Sequence, residues 1–269
     1  MKKIAVVTGA SSGIGYQTAL DFAAQGYTVV GGARHLKNAD ELVKAGVVFH
    51  PLDVTDHDSV QDFVQFIKST YGRVDVLVNA AGYGSFGALE EVPLDEARRQ
   101  LDVNLFGIVD LIQQVTPIMR TQHSGRIINI SSLAGQSYSA LAGWYYISKH
   151  ALETMSDVLR LELKPFGIDV VIVEPGITKT NWANVTNEQM LKVTPKTSPY
   201  RKAAEKQASM ITQATQTVAQ VASVIAKAAT ADKPKIRYQV TRQDKIAMKG
   251  ARLMPYKVLD KVAERMLKV

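Results

Sequence analysis

The apolar run Ile4-Ala5-Val6-Val7-Thr8 passes directly into Gly9-Ala10-Ser11-Ser12-Gly13-Ile14-Gly15, and a helical pattern follows through Gln25. No other stretch restricts the fold as much, because strand, glycine turn and helix in that order gives the turn a chemical meaning. Glycines let a ligand approach the backbone closely, and a helix start offers unpaired N–H groups to negative charge. The spacing Gly-x-x-x-Gly-x-Gly therefore predicts a pyrophosphate cradle lined by Gly9, Ser11, Ser12, Gly13, Ile14 and Gly15. The plainer alternative is a glycine turn with no ligand.

The other strand ends extend this reading. Thr28 to Ala33 ends at Arg34, and no acidic residue occurs from Phe22 to Ala39. A carboxylate at this place would bind an adenosine ribose but repel a 2′-phosphate, whereas Arg34 can pair with the phosphate. NADP(H) is thus expected over NAD(H), with Lys37 and Ser11 as helpers and an exposed strand-end arginine as the alternative. After the short strand Val47-Val48-Phe49, Asp53 is expected to reach the adenine amino group and Val54 its ring, or Asp53 merely to form a turn. Val74 to Val78 leads into Asn79-Ala80-Ala81-Gly82, where small residues let a ligand lie against the backbone.

Asn104 lies within apolar Val103-Asn104-Leu105-Phe106 on a helix expected over 97–119, and a buried asparagine there needs partners. The strand 126–130 ends in Ser131-Ser132, and Ile168 to Val173 ends in Glu174-Pro175-Gly176-Ile177-Thr178. Between them a helix is expected from Gly143 to about Phe166, with Tyr145 and Lys149 one turn apart on one face. Adjacent Tyr146 has no lysine four residues on. A cation beside a phenol favours phenolate. Lowering a tyrosine from about 10 to about 7 requires roughly 4 kcal/mol, which one charge at ~4 Å supplies at an effective dielectric of about 20. Taken alone, such a pair is more often a surface contact.

Taken together, Thr8-Gly9-x-x-x-Gly13-x-Gly15, Asn79-x-Ala81-Gly82, Asn104, Ser132, Tyr145-x-x-x-Lys149 and Pro175-Gly176 resemble the classical short-chain dehydrogenases/reductases, over roughly residues 2–180. Ala33-Arg34, Gly82-Tyr83-Gly84-Ser85 and residues 161–167 look most like the 17β-hydroxysteroid-dehydrogenase-like branch, which does not by itself imply a steroid substrate. One departure is Ala80, where the family usually has asparagine. The resemblance implies a single-domain α/β, doubly wound Rossmann fold with a mostly parallel sheet and helices on both faces. It also implies hydride transfer between nicotinamide and a carbonyl or secondary alcohol. Tyr145 would be the general acid/base, Lys149 its acidifier and ribose ligand, Ser132 the group on the substrate oxygen, and Asn104 the holder of a water. Gly9 to Gly15, Arg34, Asp53, Val54, Asn79, Ala81, Gly82, Pro175, Gly176 and Thr178 would hold NADP(H), with NAD(H) as the lesser alternative. The family further implies a homodimer or homotetramer.

Composition fits this picture. Of 269 residues 46% are hydrophobic and 21% charged, and no linker or repeat divides the chain, so one domain spanning 1–269 is expected. Cysteine is absent, which excludes thiolate chemistry, and no metal site is expected. No 18-residue apolar run or secretory leader is seen, so a cytoplasmic protein is expected. The formal charge of +7 is concentrated in residues 233–269, where eleven Lys/Arg face three acids, leaving the rest at minus one. That distribution argues against a nucleic-acid partner.

Residues 181–230 are expected to hold a mobile substrate lid followed by one helix over 200–229, and Ile236 to Val240 a last strand. Phe86, Tyr138, Trp144 and Trp182 point to an apolar substrate or to simple packing. Within the basic extension 241–269, Tyr256, Leu259, Val262/Ala263 and Met266 recur at helical spacing between Lys257, Lys261, Arg265 and Lys268. Such a helix can lie on an anionic membrane, dock on its own domain, or meet a second subunit. Two other functions compete with an oxidoreductase: a non-catalytic NADP(H)-binding redox-sensing regulator, and nucleotide-sugar epimerase or dehydratase chemistry. The first has no reason to keep Asn104, Ser132, Tyr145 and Lys149 together, and the second needs a larger substrate domain.

Overall fold

Every side chain of β1 (Ile4–Thr8) is buried, as expected of a strand covered on both faces. Ala5 and Val7 face one apolar layer and Val6 the other. The computed structural model describes residues 2–35 and 39–267, so Lys37 and Lys268 lie outside the described residues, as do the side chains of Val262, Arg265 and Met266. After β1 come α1 (Gly13–Ala24), β2 (Thr28–Ala33), α2 (Ala39–Lys44), β3 (Val48–Pro51), α3 (His57–Tyr71) and β4 (Val76–Asn79). Next are α4 (Leu94–Leu101), α5 (Gly107–Gln122), β5 (Gly125–Ile130), α6 (Gly143–Leu163) and β6 (Ile168–Glu174). The chain then forms α7 (Trp182–Val193), α8 (Arg201–Ile211), α9 (Val218–Thr230), β7 (Arg237–Gln239), α10 (Arg242–Leu253) and α11 (Tyr256–Leu267).

The seven strands are all parallel, in the order β3-β2-β1-β4-β5-β6-β7. This is the doubly wound Rossmann architecture, in one domain. The core on one side packs α3, α5 and α6 against Val6, Val30, Leu77 and Ile127. On the other side α1, α2 and α9 cover Ala5, Val29, Val78 and Ile128. Because strand order reverses at β1/β4, the turns after these strands diverge and leave a crevice between them. Arg126 ties the two layers: its Nη1 donates to the carbonyls of Ala228, Ala229 and Ala231, each at 2.8 Å, closing the C-terminal end of α9.

Two local expectations need correction. The helix expected over 97–119 is interrupted by a π turn at Asp102–Phe106 that carries Asn104. The helix expected over 200–229 is two, because Thr217 and Gln220 form a capping box that restarts it as α9. Most of the segment expected as a lid, 181–198, is helical as α7, whose Met190 is fully buried.

Candidate active site

The crevice floor is built from backbone. Thr8 Oγ1 accepts from the N–H groups of Ala80 and Ala81, both at 3.0 Å, holding the end of β4 against the glycine turn. Gly9 has φ +65°, and a Cβ there would stand 3.0 Å from the Ala81 backbone. At Gly15 a Cβ would lie 2.5 Å from the Gly9 carbonyl oxygen, so α1 can start this close to β1 only with glycine. Ser12 precedes α1 in extended conformation and makes no side-chain capping bond, which leaves the first N–H groups of the helix facing outward. An uncapped helix start in this position fits a pyrophosphate. Thr180 was missed in the sequence; its methyl lies 3.6 Å from where a Gly13 Cβ would project.

The four residues named as catalytic come together. Ser132 ends β5 and begins a short 3-10 turn, its Oγ accepting from the Ala134 N–H at 3.2 Å. Its hydroxyl also faces the Tyr145 phenol, near enough to favour the phenolate. Lys149, only 5% exposed, donates through Nζ to the Ile130 carbonyl at 2.9 Å and lies 5.9 Å from the Tyr145 ring centroid. Asn104 accepts from the Tyr83 N–H at 3.0 Å and donates to the Tyr83 carbonyl at 2.9 Å and the Ser148 hydroxyl at 3.1 Å. Ser148 in turn donates to the Tyr145 carbonyl at 2.8 Å. Both Asn104 side-chain hydrogens are therefore used by protein atoms, and its amide fixes the Gly82–Tyr83 loop to α6. Asn104 Oδ1 and Lys149 Nζ converge over Gly82, 3.2 and 3.8 Å from where its Cβ would be.

The acidity expected for Tyr145 is not produced by Lys149 in this arrangement. Burial pushes the phenol up to about 12, and the nearby Ser132 hydroxyl only partly opposes it. Burial also pulls the Lys149 amine down to about 8, against the charge of Glu153. A buried amine held by a backbone carbonyl does not favour the phenolate enough to overcome desolvation. In the protein without added nucleotide, we expect the wild-type minus Tyr145→Phe difference spectrum to show no phenolate below about pH 10. A phenolate band at neutral pH would overturn that. For stability the two groups act oppositely: Lys149, depressed below its ordinary 10.5, makes the fold gain stability as pH rises from about 8 to 10.5. Tyr145, raised above 10.0, makes it lose stability from about 10 to 12.

Behind Lys149 lies a buried charge cluster that sequence reading did not find. Arg237 of β7 bonds Glu153 at 2.9 Å and Asp157 at 2.6 Å, and approaches Glu174 at 3.4 Å. Glu174 also accepts from Gln136 and Gln239. Glu153 is one turn beyond Lys149, a spacing that could have flagged it.

The remaining predicted contacts divide in two. Asn79 is buried, and its side-chain N–H donates to Asn129 at 2.8 Å inside the sheet, while its Oδ1 makes no hydrogen bond to the protein. Arg34 is exposed at the end of β2. Asp53 is partly buried, which works against its charge. Thr55 nonetheless donates to it through N–H and hydroxyl at 3.0 and 2.8 Å. With the Arg34 and Arg99 charges added, its carboxyl is held below the usual range. Val54 is buried beneath this turn. On the far side, Pro175 accepts from the Leu133 N–H at 3.0 Å, and Thr178 donates to the Gly176 carbonyl at 3.1 Å. Gly176 is pressed by Gln216, 2.6 Å from where a Cβ would be. Above Tyr145, Phe86 and Trp182 stand at centroid distances of 5.5 and 5.6 Å. They join Met190 of α7 and Ala204 and Ile211 of α8 in a separate apolar cluster over the phenol. Among the described residues no group of His, Asp or Glu is arranged to hold a metal ion.

Comparison with known proteins follows the same residues. A family profile described as short chain dehydrogenase matches residues 3–191. A 3-ketodihydrosphingosine reductase from Bacteroides thetaiotaomicron is 40% identical over 185 residues, covering 69% of this chain and 67% of its own. An NADPH-dependent 3-dehydrocapnine reductase from Ornithobacterium rhinotracheale is 34% identical over 284 residues, covering 99% of this chain and 98% of its own. The crystal structure of a short-chain dehydrogenase from Streptomyces avermitilis superposes with a TM-score of 0.85 at 32% identity, covering 98% and 96% of the two chains.

Proposed function

Because the chain belongs to the short chain dehydrogenase family, we propose that it is an NADP(H)-dependent oxidoreductase that reduces a ketone on an apolar, long-chain substrate, with Tyr145 as proton donor. One observation carries this reading: the Tyr145 phenol faces the Ser132 hydroxyl beneath the aromatic cover of Phe86 and Trp182. The bound cofactor supplies hydride from nicotinamide C4. Gly9, Ser11, Ser12, Gly13, Ile14 and Gly15 would hold its pyrophosphate and Arg34, Asp53 and Val54 its adenosine. Ala81, Gly82, Lys149, Pro175, Gly176, Thr178 and the backbone of Asn79 would hold the nicotinamide side.

The protein's share of the chemistry is to bind and protonate. Ser132 hydrogen-bonds the carbonyl oxygen as negative charge develops on it. Tyr145 gives that oxygen its proton. A phenol pushed up to about 12 is fully protonated at neutral pH, which suits a donor, and an alkoxide is basic enough to take the proton. Lys149 replenishes charge near the phenol once phenolate forms.

The substrate class comes from the two relatives named for reducing 3-ketodihydrosphingosine and 3-dehydrocapnine. The apolar cluster formed by α7 and α8 suits such a chain, with residues 181–198 as the lid. The narrower likeness to the 17β-hydroxysteroid-dehydrogenase-like branch adds no steroid to this proposal. A homodimer or homotetramer through the central helices belongs to the same reading, supported by exposed Ile147, Val158 and Leu161 on α6. So does a cytoplasmic location, where reduced NADP is available.

The test is a panel of long-chain 3-keto compounds, small ketones and steroids with NADPH and NADH, following reduced-nicotinamide absorbance. Oxidation of NADPH with the long-chain ketones is expected. Nucleotide binding without turnover on any of them would favour the redox-sensing regulator instead. Cofactor choice has its own check. Arg34→Asp should raise the KM for NADPH about 10- to 100-fold, the range of one lost charge-assisted hydrogen bond, and leave NADH use unchanged or improved. An unchanged NADPH/NADH ratio would remove Arg34 from the 2′-phosphate.

A further inference from the structure

The last two helices present a face that no other described element covers. On their inner side α10 and α11 are anchored to the body. Asp244, buried, accepts from Gln216 at 3.3 Å, Met248 is buried, and the Tyr138 hydroxyl donates to Asp260 at 2.9 Å. On the outer side Ile246 is 63% and Leu253 85% exposed, with Met254 and Val258 beside them, and the exposed Tyr256 lies at the edge with its ring against Tyr138. Lys245, Lys249, Lys257 and Lys261 are exposed among these apolar groups. Ile246, Lys249 and Leu253 follow one another at helical spacing, so cation and apolar groups share one stripe.

We propose that this stripe seats the protein on an anionic lipid bilayer, with the substrate mouth held at the membrane surface. Charge decides the occupant. Residues 242–267, which form α10 and α11, carry seven Lys/Arg against Asp244, Asp260 and Glu264, an excess of four positive charges in this segment. A second copy docking through the same face would set these four lysines against their own equivalents, which disfavours self-association here. Isolated apolar side chains on a surface are ordinary, but five within 246–258 interleaved with lysines match an interfacial helix. The position also has a use. Tyr138, which holds α11, lies between Ser132 and Tyr145 in sequence, and α11 also packs on α8 beside the apolar cluster over Tyr145. That use rests on the long-chain substrate proposed above; the lipid contact does not.

The experiment uses the full chain with vesicles of phosphatidylcholine alone or mixed with phosphatidylglycerol, sedimented at low and high salt. We expect sedimentation with the anionic vesicles only, weakened at about 0.5 M salt, where screening is strong. Lys245→Glu/Lys249→Glu and Ile246→Glu/Leu253→Glu should each reduce vesicle partition at least about tenfold. Both should keep the wild-type melting temperature and turnover of a soluble ketone, since none of these residues touches the site. Wild type remaining in the supernatant, both double variants sedimenting like wild type, or sedimentation without vesicles would overturn the proposal. Oligomers lost in both variants, with no vesicle binding by wild type, would assign the face to a second copy. Vesicle binding without ketone turnover would fail the proposed function alone, and turnover without binding would fail this inference alone.

Discussion

Tyr145→Phe should lower kcat for ketone reduction by at least about a thousandfold, the upper range for losing a positioned proton donor, while NADPH binding is unchanged. The substitution removes one oxygen and keeps the ring. Its packing against Phe86 and Trp182 therefore survives, and neither folding nor the apolar cover is expected to change. Single-turnover kinetics and a fluorescence titration with NADPH separate the two effects. Ser132→Ala, by contrast, leaves the proton donor but removes a donor to the developing oxyanion, for a loss of about a hundred- to a thousandfold. Residual reduction by Tyr145→Phe above about a tenth of wild type would remove this phenol from the reaction.

The second large effect is on stability. Arg237→Met should destabilise the fold by about 3–5 kcal/mol, because it removes the guanidinium that Glu153, Asp157 and Glu174 share and leaves only Lys149 and Arg160 at the edges of the cluster. For a chain of this size that is a fall in melting temperature of roughly 10 °C. Glu174 is fully buried and cannot relax into water. Arg237→Lys should recover only part of the loss, since a single ammonium cannot make the forked contacts of the guanidinium. Arg237→Met combined with Glu153→Gln should recover more, because one of the stranded charges is gone. A melting temperature for Arg237→Met within about 2 °C of wild type would show that these carboxylates are neutral or otherwise compensated.

How far these features could be read from sequence depended on how local they are. The glycine turn, the strand ends at Ser132 and Pro175, and the Tyr145/Lys149 spacing were legible because each is set within one or two turns of chain. The restart of helix at Thr217 was equally legible through Gln220, and expecting one helix over 200–229 overlooked it. The π turn around Asn104 had no local signal. Its side chain is held by Tyr83 and Ser148, 21 and 44 residues away. Asn79 shows the same limit, since its partner Asn129 is fifty residues on and belongs to the neighbouring strand.

By itself the sequence determined the parallel sheet and marked the glycine turn and the Tyr145/Lys149 pair, because periodicity, glycine spacing and a one-turn helix separation are short-range properties. Only the tertiary structure decided how those groups titrate and what holds them. Whether Tyr145 gains or loses acidity depends on the balance between desolvation by Phe86 and Trp182 and the charge of an amine that is itself buried. Arg237 likewise reaches Glu153 from 84 residues away. Residue type gives the charge a group can carry; the surrounding dielectric and its distant partners set what that charge costs.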